Sequence, residues 1–192
     1  MLKVLLVDAT PGGASALGRA LPKIEGVQVA CTVGAPLELA KRIEEHRPDI
    51  VLIDTDSPSR DVLEQLAAVS TRAPRPVVMF TDDGDHDAIR ASLRAGVSAY
   101  IVDGIAPERL APIMRVAIER FEADQSLRAE LQAAKSRLEE RKLVERAKGL
   151  LMKQRGASED EAFALLRTLA MQRGIRLGEA ARQVIDVASL LG

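Results

Sequence analysis

The sequence of 192 residues contains few cysteines, histidines and aromatic residues, and each scarcity excludes a class of protein. A single cysteine, Cys31, excludes an internal disulfide bond and any cysteine-based metal cluster. The two histidines, His46 and His86, are too few and too far apart for a zinc site. Aromatic residues make up 2% of the chain, which is too few for a protein that binds single strands on aromatic stacking platforms.

Long apolar runs are also missing. No segment approaches the roughly 18 residues of a membrane-spanning helix. Asp8 interrupts the apolar opening MLKVLLVDA, which argues against a secretory signal. We therefore expect a cytoplasmic protein that does not partner a membrane. No nucleophile, base and orienting group occur as a set, so we also predict that the protein is not an enzyme, has no catalytic residues and needs no cofactor.

The net charge of −1 conceals an asymmetry between the two parts of the chain. Residues 1–114 carry 16 acidic and 12 basic side chains, whereas residues 115–192 carry 12 acidic and 15 basic ones. Within 141–182 the basic side chains number 10 and the acidic ones 5. An acidic first part and a locally basic second part predict two modules with different partners.

Residues 1–103 alternate between short apolar runs and amphipathic segments. The apolar runs suit parallel strands that are buried on both faces, and they cover 3–8, 27–33, 49–54, 76–81 and 98–103. The segments between them have helical spacing and cover about 14–24, 36–47, 59–70 and 85–95. This order predicts an α/β fold with a five-stranded, doubly wound sheet, in which ligands bind at the carboxyl ends of the strands.

No strand-like run follows Pro107. A heptad seam with spacings of 4, 3 and 4 is formed by Leu127, Leu131, Ala134 and Leu138. We expect one long helix with a coiled-coil linker over 121–141 that makes a homodimer. The alternative is a single helix packed back on the sheet. A second apolar set then follows on a shifted face, consisting of Leu143, Ala147, Leu150 and Leu151.

The last 50 or so residues predict a small three-helix unit over 142–192. Ser158 and Glu161 form a capping-box pattern that opens a helix to about residue 172. A final helix is expected over about 176–190. We expect Phe163, Met152 and Met171 to lie in the core of this unit.

Acidic residues end two of the predicted strands. Asp8 ends the first and Asp54 the third, and these ends are neighbours in a parallel sheet. Paired carboxylates can hold Mg²⁺ and present an oxygen to a phosphoryl group. Thr81 ends the fourth strand, where its hydroxyl can touch the same group. The acidic run over 82–87 is expected to be a solvated loop and a helix start, because carboxylates suit helix N-termini.

This constellation resembles the receiver domain of two-component response regulators, a flavodoxin-like fold, over about residues 1–120. The resemblance makes Asp54 the equivalent of the phospho-accepting aspartate, with Pro58 following it. It makes Thr81 the switch hydroxyl and Tyr100 the switch aromatic. The receiver pocket would then comprise Asp8, Asp54, Thr81 and Asp103.

Two positions depart from the receiver pattern. The family usually has two adjacent acids after the first strand, where this chain has Asp8 and Ala9. A magnesium site at Asp8 and Asp54 is therefore expected to be weak. The family's lysine after the fifth strand is replaced by Asp103, whose charge repels a phosphoryl group. We expect a pseudo-receiver that binds protein and is not switched by ordinary phosphotransfer.

The stretch 145–186 resembles the ANTAR domain, an RNA-binding unit of transcription antiterminators. Its matching segments are AKGLLM and EAFALLRTLAM, followed by a third helix. A receiver, a coiled coil and an ANTAR domain in this order resemble the AmiR/NasT family. The stretches VLIDTDSPSRDV, PRPVVMFTDD and GVSAYIVDGI are most similar to its NasT type, which regulates nitrate and nitrite assimilation.

That resemblance implies binding to paired leader-RNA hairpins, which prevents a terminator from forming. It also implies a nitrate- or nitrite-sensing partner protein that sequesters the regulator. The residues expected to contact RNA are Lys148, Gly149, Lys153, Arg155, Arg167, Arg173 and Arg176. Gly149 would admit either the RNA backbone or another helix, and with few aromatics we expect recognition by basic and polar groups. The alternative is a phosphorylation-controlled regulator that acts through DNA or protein binding.

Overall fold

The computed structural model describes residues 1–8, 15–34, 39–103 and 106–191, with side chains described to residue 189. The chain divides into two compact units, residues 1–125 and 126–192. Ala9 and the expected helix starts near residues 14 and 36 lie outside the described residues. Within the part described, no helix combines the length and the apolar character that crossing a membrane requires.

The first unit contains a five-stranded parallel sheet in the order β2-β1-β3-β4-β5, which confirms the predicted α/β fold class. Each strand is a short apolar run, and β1, β3 and β4 are buried almost throughout because helices cover both faces. The strands are β1 Leu2–Asp8, β2 Val27–Val33, β3 Ile50–Asp54, β4 Val77–Thr81 and β5 Ala99–Val102.

Helices connect the strands and continue beyond them. They are α1 Ala16–Ala20, α2 Leu39–His46, α3 Arg60–Arg72, α4 His86–Ala95, α5 Pro107–Arg155, α6 Glu159–Arg173 and α7 Leu177–Leu191. A 3₁₀ turn over Leu21–Lys23 follows α1, so the first helix is shorter than predicted. Pro22 lacks the backbone N–H that continuing the α-helical ladder requires.

Alternate residues of each strand pack into separate cores on the two faces of the sheet. Leu5 and Val7 of β1 pack with Leu66 and other residues of α2 and α3. Val4 and Leu6 pack on the opposite face with residues of α1 and of the start of α5, such as Leu110. The first turns of α5 therefore belong to the receiver core.

Two helix ends follow directly from their residue types. Asp85 caps α4, and its side chain accepts hydrogen bonds from the amides of Asp87 and Ala88, as the predicted loop and helix start required. Gly96 ends α4 with φ of 105°, and a Cβ there would lie 2.7 Å from the Cβ of Ser70. Glycine is thus required at this position by both its φ angle and the close approach of α3.

The seam residues of α5 are exposed. Leu127 is 65% exposed, Leu131 56% and Leu138 55%, and every residue from 126 to 142 falls in the exposed class. Within the described residues of the second unit, no other element covers this apolar heptad row.

The second unit has a small core with several alanines. The buried residues that pack together in this core are Val144, Ala147, Leu151, Ala162, Leu166 and Ala181. The prediction that Phe163, Met152 and Met171 lie in the core is wrong, because these side chains are 42%, 39% and 72% exposed. Each helix of the second unit buries only a narrow row of side chains against the other helices, so the apolar side chains beside that row remain exposed.

Contacts at the helix ends fix the second unit. Ser158 caps α6, and its hydroxyl accepts from the Glu161 amide while the Glu161 carboxylate accepts from the Ser158 amide. This confirms the predicted capping box. Glu140 of α5 accepts a hydrogen bond from the Gly178 amide in the first turn of α7 at 3.2 Å. A Cβ at Gly178 would lie 2.7 Å from Cγ of Glu140, so a larger residue there would displace the Glu140 side chain.

Candidate functional site

The acidic pocket of the first unit lies at the carboxyl ends of the strands. Asp8 and Asp54 end β1 and β3 and occupy opposite positions in the parallel register. Asp8 is only 3% exposed, and Thr81 ends β4 on the other side of β3 with 4% exposure. The structure therefore brings these three predicted residues to one edge of the sheet.

Ser15 joins the two carboxylates, and our sequence analysis did not identify it. Its amide donates to Asp8 Oδ2 at 3.0 Å, and its side chain makes a hydrogen bond with Asp54. Its Oγ also accepts from the Gly18 amide and caps α1. The only sequence signal is a serine before a helix, which fits capping alone.

The environment of Asp54 favours its protonated form. Partial burial is the main cause that raises the pKa of Asp54, and the negative charges of Asp8, Asp82 and Asp56 raise it further. The hydrogen bond from Ser15 opposes these effects by stabilising the carboxylate. Burial and like charges outweigh that hydrogen bond.

Asp103 follows β5 and differs from its expected place in the pocket. It is exposed and has a φ angle of 64°, and its amide donates to the Thr81 carbonyl at 3.2 Å. The like charges that raise the pKa of Asp54 come instead from Asp8, Asp82 and Asp56. The strand ends after Val102 with a left-handed residue, which carries the Asp103 side chain to the surface.

The hydroxyls of Thr81 and Tyr100 form hydrogen bonds with the loops that follow β3 and β4. Thr81 Oγ1 donates to the Asp56 carbonyl at 2.8 Å and accepts from the Asp83 amide at 3.1 Å. Tyr100 donates to the Asp83 carbonyl at 2.8 Å. Burial, followed by the charge of Asp83, raises the pKa of Tyr100. Both side chains therefore hold the loop after β4, and Thr81 also binds the loop after β3.

The pocket fits a magnesium ion only loosely. Mg²⁺ is commonly held by one or two carboxylates together with water, and Asp8 and Asp54 supply that minimum. Within the described residues, no group of three or more His, Cys, Asp or Glu side chains is arranged to hold a metal. We assign no chemical step to a bound metal.

Lys148 is a structural residue in the second unit. It is 8% exposed, and its Nζ lies 3.0 Å from Glu145 and 2.6 Å from Glu159. Hydrogen bonds to these carboxylates, with Glu159 contributing more, raise the pKa of Lys148. We predicted an RNA contact for Lys148, but in the structure its side chain ties α5 to the first turn of α6.

The remaining predicted RNA contacts are exposed. They are Gly149, Lys153, Arg155, Arg167, Arg173 and Arg176. Arg173 donates to the Gln183 side chain. Among the described residues, no ion pair engages Lys153, Arg155, Arg167 or Arg176. A Cβ built at Gly149 would meet nothing within 4 Å, so no described helix explains this glycine.

Comparison with known proteins assigns both units to families. The response regulator receiver domain model matches residues 4–115, and the ANTAR domain model matches residues 132–185. The transcriptional regulatory protein PdtaR of Mycobacterium tuberculosis is 32% identical over 162 residues, which cover 84% of this chain and 79% of PdtaR. The chain belongs to the ANTAR response regulators. PdtaR, which is similar over most of this chain, is a transcriptional regulatory protein.

Two further proteins are similar to only part of this ANTAR response regulator. The nitrate regulatory protein of Klebsiella oxytoca is 37% identical over 83 residues, covering 43% of this chain and 20% of that protein. A CheY-like receiver domain from Methanospirillum hungatei has a TM-score of 0.54 at 22% identity, covering 65% of this chain and 98% of that one, and shows the fold alone. These similarities do not confirm the prediction that the chain is most similar to NasT-type regulators.

Proposed function

We propose that this ANTAR response regulator is a transcription antiterminator that binds paired hairpins in leader RNA and so prevents termination. The observation that carries the proposal is the ANTAR match over residues 132–185, on a unit whose exposed surface holds basic side chains without ion pairs. Antitermination follows because a bound hairpin pair competes with an overlapping terminator hairpin.

The charges of the second unit suit an RNA backbone. Lys153 and Arg155 end α5, Arg167 lies on α6, and Arg176 precedes α7. Because no described carboxylate pairs with them, they can neutralise phosphates without first breaking an internal ion pair. The exposed backbone at Gly149 allows close approach of the RNA.

We propose a homodimer through the exposed heptad row of α5. The leucines at 127, 131 and 138 are each more than half exposed, which is typical of a coiled-coil seam in a separated chain. Two protomers joined there would each hold one hairpin. The second hairpin would then bind intramolecularly, which raises the overall affinity.

We propose that a sequestering protein, rather than phosphorylation, controls this regulator. Asp103 replaces the lysine that the receiver pattern has, and like charges surround Asp54. A nitrate- or nitrite-sensing partner and nitrate assimilation genes as targets are the specific form of the proposal. The partial similarity to a nitrate regulatory protein supports that form.

Titration of an RNA across salt concentrations tests RNA binding. The probe is a two-hairpin leader RNA, compared with each single hairpin and with a DNA duplex. We expect tight, salt-sensitive binding that needs both hairpins, and Arg167→Gln should lower the salt slope by about 1. Arg90→Gln, which removes the same charge from α4, is the matched control and should leave the slope unchanged. Equal binding to every probe would contradict the proposal.

Two further measurements test the proposed dimer and the proposal that phosphorylation does not regulate the protein. Leu131→Glu places a charge in the seam and should convert a dimer to a monomer in sedimentation, whereas Ala129→Glu, on the side of the helix opposite the seam, should not. Incubation with acetyl phosphate and Mg²⁺ should leave RNA affinity unchanged. A dimer that survives Leu131→Glu, or RNA affinity that rises on phosphorylation of Asp54, would refute the corresponding part.

A further inference from the structure

Phe163 is the one aromatic residue after Phe121, and it lies on the surface. The other aromatics belong to the first unit, where Phe80 is buried in the sheet and the Tyr100 hydroxyl donates a hydrogen bond to the Asp83 carbonyl. Phe163 is 42% exposed, although the second unit has a small, alanine-rich core that such a side chain would enlarge. An aromatic left outside an incomplete core requires a separate explanation.

Phe163 belongs to a defined row on α6. Ala162, Leu166 and Ala170 form the buried row, at positions four residues apart. The next row along the helix surface consists of Phe163, Arg167 and Met171, again four residues apart and therefore neighbours. Met171 is 72% exposed and Arg167 is also exposed. The α6 row, defined by these three residues, places a cation between two apolar side chains.

The charges around the α6 row favour an anionic occupant. Arg167 has no ion-pair partner among the described residues. Two of the nearby carboxylates are already engaged, because Glu159 accepts from Lys148 and Glu161 accepts from the Ser158 amide. An unpaired nucleotide offers a flat base for the aromatic ring and a phosphate for the guanidinium, and both groups of the row are then used.

We propose that the α6 row is a stacking platform for an unpaired base of the RNA hairpin loop, with Phe163 as the ring and Arg167 as its phosphate contact. This inference rests on the proposed function and adds to it the part of the RNA that is read. Each protomer offers one such ring, so one loop base per hairpin is stacked. It replaces the expectation that basic and polar groups alone recognise the loop.

The test begins with an RNA selected by the protein itself. Full-length protein is used to enrich two-hairpin RNAs from a pool with randomised loops, and the enriched RNA is the probe. Phe163→Leu keeps an apolar side chain without a ring, whereas Phe163→Trp keeps a ring. Val187→Ala, at another exposed apolar position, is the control. Affinity, salt slope, sedimentation and thermal unfolding are measured for each variant.

We expect Phe163→Leu to weaken binding by about 5- to 150-fold, which is the range for loss of one aromatic stacking contact. Its salt slope should stay that of the wild type, because no charge is removed. Phe163→Trp should bind within about threefold of the wild type, and 2-aminopurine in the loop should be quenched by the wild type but not by the leucine variant.

Different failures separate this inference from the proposed function. If the pool yields no salt-sensitive binder, the antiterminator proposal fails, and the platform fails with it. If RNA binds but Phe163→Leu equals the wild type, the platform alone is refuted. The platform is also refuted if Phe163→Leu changes the oligomeric state, because the α6 row is then a protein contact.

Discussion

Truncating Leu166 to alanine should destabilise the second unit and leave the stability of the receiver unit unchanged. Leu166 is fully buried, and its core neighbours include Ala147, Ala162 and Ala181. Alanine neighbours have no rotamers with which to fill the space that Leu166→Ala leaves. Such substitutions cost about 2–5 kcal/mol. Residues 126–192 form a unit whose total stability is expected to be roughly 3–10 kcal/mol from its length.

The size of that loss predicts a specific unfolding profile. For a domain of this length each kcal/mol lowers the Tm by about 4–8 °C, so the second unit should melt at least 8 °C earlier. Circular dichroism at 222 nm follows the transition, and hydrogen exchange assigns it to α6 and α7. The control is Leu165→Ala, because Leu165 is 39% exposed and should cost roughly 1 kcal/mol or less. Equal losses at the two leucines would refute the packing described for α6.

Three other substitutions have expected outcomes. Asp54→Asn should stabilise the receiver near neutral pH. Because the pKa of Asp54 is raised in the folded state, wild-type stability falls as pH rises from about 4 through the folded-state pKa. Urea titrations should therefore show that the variant is more stable than the wild type near neutral pH but not below about pH 4. Gly96→Ala should lower the Tm more than Gly26→Ala, because both have positive φ angles but only position 96 is crowded. Lys148→Met should lower the Tm and leave the RNA salt slope unchanged, whereas Lys153→Met should do the reverse.

The fold of the first unit could be predicted because its signals are local and repeated. A strand buried on both faces must be an apolar run, and the acids that end β1 and β3 mark the carboxyl ends of these strands. Once the strand order is parallel, the meeting of Asp8 and Asp54 follows from topology alone. No detailed packing had to be known for this part of the site.

The parts that the sequence did not predict depend on which side of a helix faces its neighbours. Ser15 reaches Asp8 and Asp54 because of how the chain enters α1, which no periodicity encodes. Lys148 was predicted as an RNA contact, yet its side chain joins α5 to Glu159 at the start of α6. Phe163 was predicted to lie in the core because it is apolar, but the residue type alone does not show how wide a row of side chains the helix buries.

The second unit gains support from the helix that carries the seam. α5 supplies Val144, Ala147 and Leu151 to the core, and Glu140, one turn earlier, holds the start of α7. A helix exposed on all sides over 126–142 has little packing of its own to keep it helical. Pairing at the seam would supply that packing and hold the core residues in place. Because binding to a folded state stabilises it by mass action, the stability of the second unit should rise with protein concentration. Dimerisation and a competent RNA-binding surface are then two consequences of ordering one helix.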